Sequence, residues 1–347
     1  MLSEIIKARA LPPLRDRETM LDILLSEEYG RPVPSPDRVE FSVKENVRAN
    51  FCAGKAFLDI ITVEATIGER SFSFPVKFAR PSAEGKYPFF VHINFRDAVP
   101  DLYMPTEELL DNGFAVLSFC YADVTSDDGD FTNGLSGVLY PDGKREPHDA
   151  GKIAMWAWAA SRVMDYAETR GDLLDLSRAV VCGHSRLGKT ALLAGALDER
   201  FAFVYSNDSG CSGAAISREK QGESVARICN RFPYWFCEEY KKYADREASM
   251  PFDQHWLIAA IAPRFVLVGS AEEDTWADPE SEMLSCLAAS PAYEALGLDG
   301  FIGEDRSPVA GDAWLDGRIG YHLRAGAHYF SRTDWHRLID FVNIHSK

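Results

Sequence analysis

One short stretch of the sequence, Ala179–Ala194 (AVVCGHSRLGKTALLA), limits the folds open to this chain more than any other. The apolar residues Ala179–Cys182 run directly into a turn of small residues, and a helix-forming run begins at Leu187. This order of strand, sharp turn and helix is typical of proteins in which helices alternate with parallel strands. Ser185 lies in the turn, so the stretch also marks a candidate reactive site.

Two different chemistries fit this turn. In the first, Ser185 is a nucleophile raised above the sheet by a strained strand-to-helix turn, and glycines let the backbone pack closely behind it. The glycine usual two residues after the serine is here Leu187, so the match is imperfect. In the second, Gly183 and Gly188-Lys189-Thr190 satisfy the phosphate-loop pattern G-x-x-x-x-G-K-[ST] in full. An ordinary strand–helix turn without chemistry is the third interpretation.

The charge and composition of the 347 residues exclude several classes of protein. A formal net charge of −16 argues against a nucleic-acid surface, which needs clustered Lys and Arg. No run of about 18 apolar residues is present, so no membrane-spanning helix is predicted. The seven cysteines are scattered without a C-x-x-C pair, which predicts buried thiols and neither a zinc site nor a dense disulfide framework. Nothing in the sequence implies an obligate protein partner.

The first residues, MLSEIIKARALPPL, lack the apolar core of a secretion signal. As it stands, the sequence therefore predicts a cytoplasmic protein. If a signal has been removed, the same sequence is compatible with a secreted or periplasmic protein.

The remaining sequence alternates predicted strands with predicted helices. Residues 1–37 form a predicted helical N-terminal arm. Alternating polar and apolar residues from Val39 to Arg80 predict two or three antiparallel strands. The continuous apolar runs Tyr87–Phe95 and Gly113–Tyr121 predict strands buried on both faces. Residues 122–151 form a predicted long polar loop, a kind of segment that is usually functional or mobile.

The second half of the chain continues this alternation, apart from a predicted irregular segment at 210–250. Together these elements predict an α/β fold with a mostly parallel central sheet and antiparallel N-terminal strands, and we expect residues 38–347 to form a single domain. Helices are predicted at Lys152–Thr169, Leu187–Leu197, Pro279–Leu296 and Thr333–His345, and strands at Ala179–Cys182, Ala202–Ser206, Phe265–Ser270 and Gly320–Leu323.

The order of residues after later strands favours the serine interpretation. Serine hydrolases of α/β type carry the nucleophile, the acid and the histidine in that order along the chain, in loops after strands. Asp274 follows the strand Phe265–Ser270, and His328 lies in a glycine-containing loop after Gly320–Leu323. The phosphate-loop interpretation requires a later strand ending in a magnesium-binding Asp. Asp208 is the nearest such residue, but its strand is interrupted by Ser and Asn.

Other histidines are predicted to be structural. They are His92 and His322 in apolar strands, His255 half-buried on a helix, and His336 and His345 on the last helix.

Several motifs together resemble a known family. They are GHSRLGKTAL, SNDSGCSGAAISR, FPYWFC, PFDQHWLIAAIAPR, SAEEDTWADP and YHLRAGAH, within about residues 85–347. In combination they resemble the bacterial branch of carbohydrate esterase family 15, the glucuronoyl esterases. The resemblance implies a three-layer α/β-hydrolase fold and cleavage of the ester between 4-O-methyl-glucuronate of xylan and a lignin alcohol. It also implies that neither a metal nor a cofactor is used.

The resemblance implies a role for each matching position. Ser185 matches the nucleophile and His328 the base. Arg186 follows the nucleophile and matches the residue whose backbone and side chain hold the oxyanion. Contacts to the sugar are implied for Lys189, Glu223 and Trp276.

The acid stays open, because many members carry a glutamate where this chain has Asp208, whereas others use an aspartate at the position of Asp274. We favour Asp274, because the general hydrolase pattern also places the acid there. His184 stands where fungal members have a disulfide-forming cysteine, so that disulfide cannot form here.

The leading prediction is thus a serine esterase for glucuronate esters of xylan. The loop Asn94–Arg96 is expected to supply a second backbone donor to the oxyanion. An esterase for acetyl-xylan or another acyl group is the alternative within enzymes. A nucleotide-binding ATPase remains only through the GKT match.

Overall fold

In the computed structural model, which describes residues 1–346, ten strands form one mixed sheet with helices on both faces. Along the sheet the order is β1-β2-β3-β5-β4-β6-β7-β8-β10-β9. The strands are β1 (Arg38–Lys44), β2 (Ala56–Ile67), β3 (Arg70–Pro81), β4 (Tyr87–Asn94), β5 (Ala115–Cys120), β6 (Leu174–His184), β7 (Phe203–Asn207), β8 (Phe265–Ala271), β9 (Ala313–Trp314) and β10 (Ile319–Arg324).

The helices complete a three-layer arrangement. Short 3₁₀ or π-helical segments occur at Leu25–Tyr29, Phe51–Gly54, Glu238–Tyr243 and Glu247–Ser249. The α-helices are α1 (Leu2–Ala8), α2 (Arg17–Leu24), α3 (Thr106–Asp111), α4 (Tyr121–Val124), α5 (Gly134–Leu139), α6 (Lys152–Thr169), α7 (Arg186–Leu197), α8 (Val225–Arg231), α9 (His255–Ala259), α10 (Pro279–Glu294) and α11 (Arg332–His345).

The directions of the strands confirm the predicted fold class. Strands β1, β2, β3 and β5 pair antiparallel, and β9 pairs antiparallel with β10. From β5 through β4, β6, β7 and β8 to β10 every pairing is parallel. The carboxyl ends of these parallel strands meet at one edge of the sheet, where α/β proteins place their sites.

Both faces of the parallel strands are apolar because both are covered. In β4, Phe89 and Val91 pack into the core under α6 and α7, whereas Phe90 packs into the core under α3 and α11. In β6, Val181 likewise packs into the core under α6 and α7, and Val180 into the core under α3 and α11. This is the physical reason for the continuous apolar runs, since alternation of side chains in a strand sends neighbours to opposite faces.

Several boundaries differ from the prediction. The predicted loop at 122–151 contains α5, and α4 begins just before it at Tyr121. The predicted irregular segment at 210–250 contains α8. Strand β6 begins at Leu174, well before the apolar run from which it was predicted. Its first half was missed because these residues are only partly buried and include polar ones. His255 is buried and not half-buried. No helix within residues 1–346 is long and apolar enough to cross a membrane.

The N-terminal segment is anchored by a buried carboxyl group. Glu28 lies in the π-helical turn Leu25–Tyr29, and its carboxylate accepts hydrogen bonds from Gln254 Nε2 at 2.9 and 3.2 Å. The neighbouring Tyr29 hydroxyl donates to the Ser212 carbonyl at 2.8 Å. Burial raises the pKa of Glu28 to about 8. The N-terminal segment is therefore anchored to the core through the Glu28 carboxyl group, which stays protonated to a higher pH than an exposed carboxyl does.

We expect this carboxyl to make stability fall as pH rises. Because the pKa of Glu28 is higher in the folded state than in the unfolded chain, its contribution is complete below about pH 4.5 and is lost as pH approaches 8. Glu28→Gln should flatten the decline of the unfolding free energy between pH 5 and 8, measured by urea denaturation. Glu84→Gln, at an exposed position, should leave the decline unchanged.

Candidate active site

Ser185 lies at the point where β6 ends and α7 begins. Its backbone has φ 58° and ψ −127°, a region that non-glycine residues rarely adopt. The Ser185 amide donates to the Asn207 carbonyl at 2.8 Å, which ties the turn to the end of β7. A strained serine between strand and helix is the geometry of a nucleophile elbow.

The glycines of the turn explain why this elbow tolerates Leu187. A side chain at Gly183 would clash with the Leu187 carbonyl oxygen. A Cβ at Gly188 would lie 3.0 Å from the Asn207 carbonyl oxygen. The close approaches are thus made at Gly183 and Gly188, while the Leu187 side chain is fully buried in the core.

The phosphate-loop interpretation is wrong. The amides of Gly188 and Lys189 already donate to the Ser185 carbonyl at 2.9 and 3.2 Å, and the Thr190 hydroxyl donates to the Arg186 carbonyl at 2.9 Å. A phosphate loop needs free amides that point into a concave turn. The turn here is closed by its own hydrogen bonds, so no phosphate cradle exists.

His328 and Asp274 meet across the loops that follow β10 and β8. The Nδ1 atom of His328 lies 2.6 Å from Oδ2 of Asp274. Burial opposes the charge of Asp274, but the hydrogen bond and charge of His328 outweigh it and lower the pKa of the carboxyl below its ordinary value. A charged carboxylate on Nδ1 holds the tautomer in which Nε2 is free to take a proton.

Arg324 holds the loop that carries His328. Its Nε donates to Asp334 at 2.7 Å, and its Nη2 donates to the carbonyls of Ala327, at 3.1 Å, and Tyr329. The side chain is buried, so these bonds are made away from water. This residue was missed from the sequence, because an arginine at the end of a strand carries no catalytic pattern.

Asp208, the other candidate acid, follows β7 but makes no hydrogen bond with His328. Its Oδ2 lies 3.4 Å from Arg324 Nη2, and its Oδ1 has no partner among residues 1–346. Burial, followed by the charges of Glu282 and Asp334, raises the pKa of Asp208 well above its usual range. The structure therefore places Asp274, and not Asp208, in a hydrogen bond with the histidine.

One cluster beside the serine has the composition of a metal site. His184, Asp208 and His328 each offer a ligand atom, and these atoms lie within 4.8 Å of one another. However, Nδ1 of His184 is bonded to Asn207 at 2.7 Å, and Asp208 faces the guanidinium of Arg324. The fixed positive charge of Arg324 beside Asp208 disfavours a second cation there, so we assign the cluster no metal.

Arg186, the first residue of α7, is held by Asp127 from the long polar loop. Its Nη1 is bonded to Asp127 Oδ2, while Asp127 Oδ1 accepts from Trp235 Nε1 at 2.7 Å. The Tyr121 hydroxyl also donates to Asp127, at 3.0 Å. Asp127 was missed from the sequence, where it is one of several acidic residues in a polar segment.

Aromatic rings fix the plane of the Arg186 guanidinium. Its central carbon lies 4.8 Å from the ring centroid of Trp235, 5.4 Å from that of Phe232 and 5.6 Å from that of Phe95. The Nη2 atom makes no hydrogen bond within the described part of the chain, and neither does the buried Nε. The backbone N–H of the first helical residue likewise has no intrahelical acceptor. Arg186 thus presents free donors beside Ser185.

In the loop Asn94–Arg96, which is expected to supply the second oxyanion donor, the Phe95 amide is already bonded. The Phe95 amide donates to the Asn94 side chain at 2.8 Å, and these residues do not line the cleft described below. The Asn94 side chain therefore engages the Phe95 amide, which the sequence pattern had left available as an oxyanion donor.

Lys189 and Glu223 form a buried ion pair. The Lys189 Nζ atom lies 3.3 Å from Glu223 Oε2 and 2.5 Å from the carbonyl oxygens of Ser209 and Cys211. Three acceptors match the three donors of an ammonium group. Lys189 therefore organises the turn after β7 in addition to facing the cleft.

We expect Lys189→Met to destabilise the protein by about 3 kcal/mol, because it leaves Glu223 charged and buried without its partner. Urea denaturation at neutral pH measures the loss. Lys55→Met, which breaks an exposed ion pair with Asp111, should change stability little. A loss no larger than that of Lys55→Met would show that the buried pair contributes nothing to the fold.

All eight residues proposed from the sequence line one cleft of about 360 Å³. Trp276 stands at this cleft with 45% of its surface exposed, and the guanidinium of Arg227 lies 5.4 Å from its ring. An exposed indole whose ring is held in place by a neighbouring side chain is a surface on which a sugar ring can stack. The lining residues are Ser185, Arg186, Lys189, Asp208, Ser209, Gly210, Glu223, Arg231, Phe232, Trp235, Asp274, Trp276, Ala277 and His328.

Comparisons with known proteins all indicate one family. The family model described as "Glucuronyl esterase, fungi" matches residues 62–297. Carbohydrate esterase MZ0003 from an unknown prokaryotic organism is 42% identical over 241 residues, which cover 69% of this chain and 55% of that protein. The chain thus spans about half the length of this relative.

Two further proteins extend the similarity. The 4-O-methyl-glucuronoyl methylesterase of Thermothelomyces thermophilus is 30% identical over 293 residues, covering 81% of this chain and 67% of that protein. The solved structure of a glucuronoyl esterase from Solibacter usitatus matches with a TM-score of 0.85 and 34% identity, over 95% of this chain and 92% of that one. The chain belongs to the glucuronyl esterase family.

Proposed function

We propose that this protein is a serine-type carboxylic ester hydrolase that cleaves esters of 4-O-methyl-glucuronate in xylan. The observation that carries the proposal is the convergence of Ser185 with the bonded pair His328–Asp274 in one cleft. Strand, elbow and helix supply the nucleophile, and two later strands supply the base and the acid. This is the constellation of an acyl-transferring hydrolase.

The reaction runs in two steps. The Ser185 oxygen attacks the ester carbonyl while His328 Nε2 takes its proton, and the proton then passes to the leaving alcohol. The acyl group remains on Ser185 as an ester. Water, deprotonated by His328, attacks that ester and releases the glucuronate and the free serine. Asp274 keeps His328 in the required tautomer and stabilises its charged form in both steps.

Arg186 supplies the charge that each tetrahedral intermediate needs. Its backbone N–H and its free Nη2 lie beside the nucleophile, while Asp127 and Trp235 prevent the guanidinium from turning away. Donors fixed before the reaction stabilise a developing oxyanion better than water does, because they need no reorganisation.

The proposal that the substrate carries a sugar rests on the lining residues Lys189, Glu223 and Trp276. Glu223, held in place by Lys189, offers its carboxylate to sugar hydroxyls, and Trp276 offers an exposed apolar face. The relative from Thermothelomyces thermophilus is named a 4-O-methyl-glucuronoyl methylesterase. A small acetyl group would leave these residues without a contact, so we place acetyl-xylan second.

A substrate panel tests the proposal. Benzyl glucuronate should be hydrolysed with a kcat/KM about a hundredfold above that of 4-nitrophenyl acetate, because binding of the sugar contributes to transition-state stabilisation. Trp276→Ala should reduce this preference and leave acetate hydrolysis unchanged. Equal rates on benzyl glucuronate and acetylated xylan, with Trp276→Ala affecting both alike, would contradict the assignment to glucuronate.

A further inference from the structure

His184, the residue before the nucleophile, lies against the catalytic histidine. The ring centroids of His184 and His328 are 4.4 Å apart, and the rings are inclined by 41°. His184 is buried and does not line the cleft, so it cannot touch the substrate. Its ring does, however, lie directly against the ring of His328.

A chain of hydrogen bonds fixes the tautomer of His184. The Tyr205 hydroxyl lies 3.0 Å from His322 Nε2 and accepts from Asn207 Nδ2 at 3.3 Å. The amide of Asn207 is thereby oriented, and its Oδ1 lies 2.7 Å from His184 Nδ1. Nδ1 must carry the proton in order to donate to this oxygen. The Nε2 atom then holds a lone pair, and it is buried without a partner among residues 1–346.

The surroundings of His184 keep it uncharged. Its ring lies 5.3 Å from that of Tyr103 and 6.1 Å from that of Phe330, so its environment is largely aromatic. Burial, followed by the charge of His328, lowers the pKa of His184 well below its usual range. A neutral aromatic ring therefore lies against the one group that becomes positively charged during catalysis.

We propose that His184 is a positioning residue whose electron-rich ring face supports the charged form of His328. The proposal depends on the function proposed above only in that His328 acts as the base. A cation against an aromatic face is stabilised by the quadrupole of the ring, and the stabilisation grows when water is excluded. Bonding to Asn207 keeps the His184 ring in the required orientation.

The other charged or titratable groups around this pair come from separate elements. Asp274 bonds Nδ1 of His328, whereas Asp208 Oδ2 lies 3.9 Å from His184 Nδ1. Arg324 lies beside Asp208, and the charges of Arg324 and His92 disfavour a charge on His184. Replacing the His184 ring by an aliphatic side chain leaves these groups in place and removes the aromatic face together with the bond to Asn207.

Two variants of similar size separate this role from simple packing. His184→Leu fills the space without an aromatic face, whereas His184→Phe retains the face; both lose the bond to Asn207. For His184→Leu we expect kcat to fall by about threefold to tenfold with KM unchanged, and the acid limb of the kcat/KM profile to move to lower pH. His184→Phe should restore most of the lost kcat and most of the shift in the acid limb. His255→Phe, at another buried histidine, serves as the control.

A direct titration makes the test independent of the substrate. The His328 ring is followed by NMR in histidine-labelled protein, with its signal assigned by loss in His328→Ala. Its midpoint should move to lower pH in His184→Leu and return in His184→Phe. Equal midpoints in wild type and His184→Leu, or equal shifts in both variants, would overturn the proposal. If His184→Leu does not fold, as judged by its melting curve, His184→Met replaces it with the same expectations.

Because the titration uses no substrate, a failed esterase assay would count against the proposed function alone.

Discussion

Ser185→Ala is expected to lower ester turnover by roughly 10⁴- to 10⁶-fold, because the members of a catalytic triad act as a unit. The loss should appear in kcat, since the serine oxygen forms its new bond only in the reaction itself. The fold should survive, because alanine at φ 58° is no more strained than serine. Melting curves confirm folding, and Ser249→Ala, at an exposed serine, should keep full activity.

A variant that retained more than about a tenth of the activity would remove Ser185 from the mechanism. Activity on benzyl glucuronate and on 4-nitrophenyl acetate should be lost together. Loss on only one substrate would mean that a second group in the cleft attacks the other.

Asp274→Asn should cost about 10⁴ in turnover, because an amide no longer holds His328 in the tautomer that accepts a proton. Asp208→Asn should cost less than about tenfold, because Asp208 makes no hydrogen bond with His328 and an amide resembles the protonated acid that its raised pKa favours. The two variants are matched in chemistry and differ only in position. Their kcat values on one substrate therefore rank the two carboxylates directly.

The reverse ranking would transfer the role of the acid to Asp208. If each single change is mild and only the double variant is inactive, the two carboxylates share the role.

The fold was predicted well where local pattern determines structure. Continuous apolar runs such as Gly113–Tyr121 indicated strands covered on both faces, and the sheet confirms that arrangement. Prediction failed where part of a strand is polar and partly exposed, or where an element is short. The first half of β6 is partly exposed, β9 has two residues, and α8 has only seven.

The candidate site divides in the same way. Ser185, Asp274 and His328 could be proposed because their order along the chain follows the order of the strands. Asp127 and Arg324 could not, since each acts through contacts with residues distant in sequence or through backbone carbonyls. His184 was noted only as a departure from the fungal pattern, because its contact with His328 depends on how β6 and the last loop meet.

Labelling with a fluorophosphonate, followed by mass spectrometry of the digested protein, identifies the nucleophilic serine directly. We expect a single adduct, on the peptide that contains Ser185, and no adduct in Ser185→Ala. Labelling should be strongly slowed in Asp274→Asn and nearly unchanged in Asp208→Asn. An adduct on a different serine, or a labelling rate that depends on Asp208 and not on Asp274, would contradict the account.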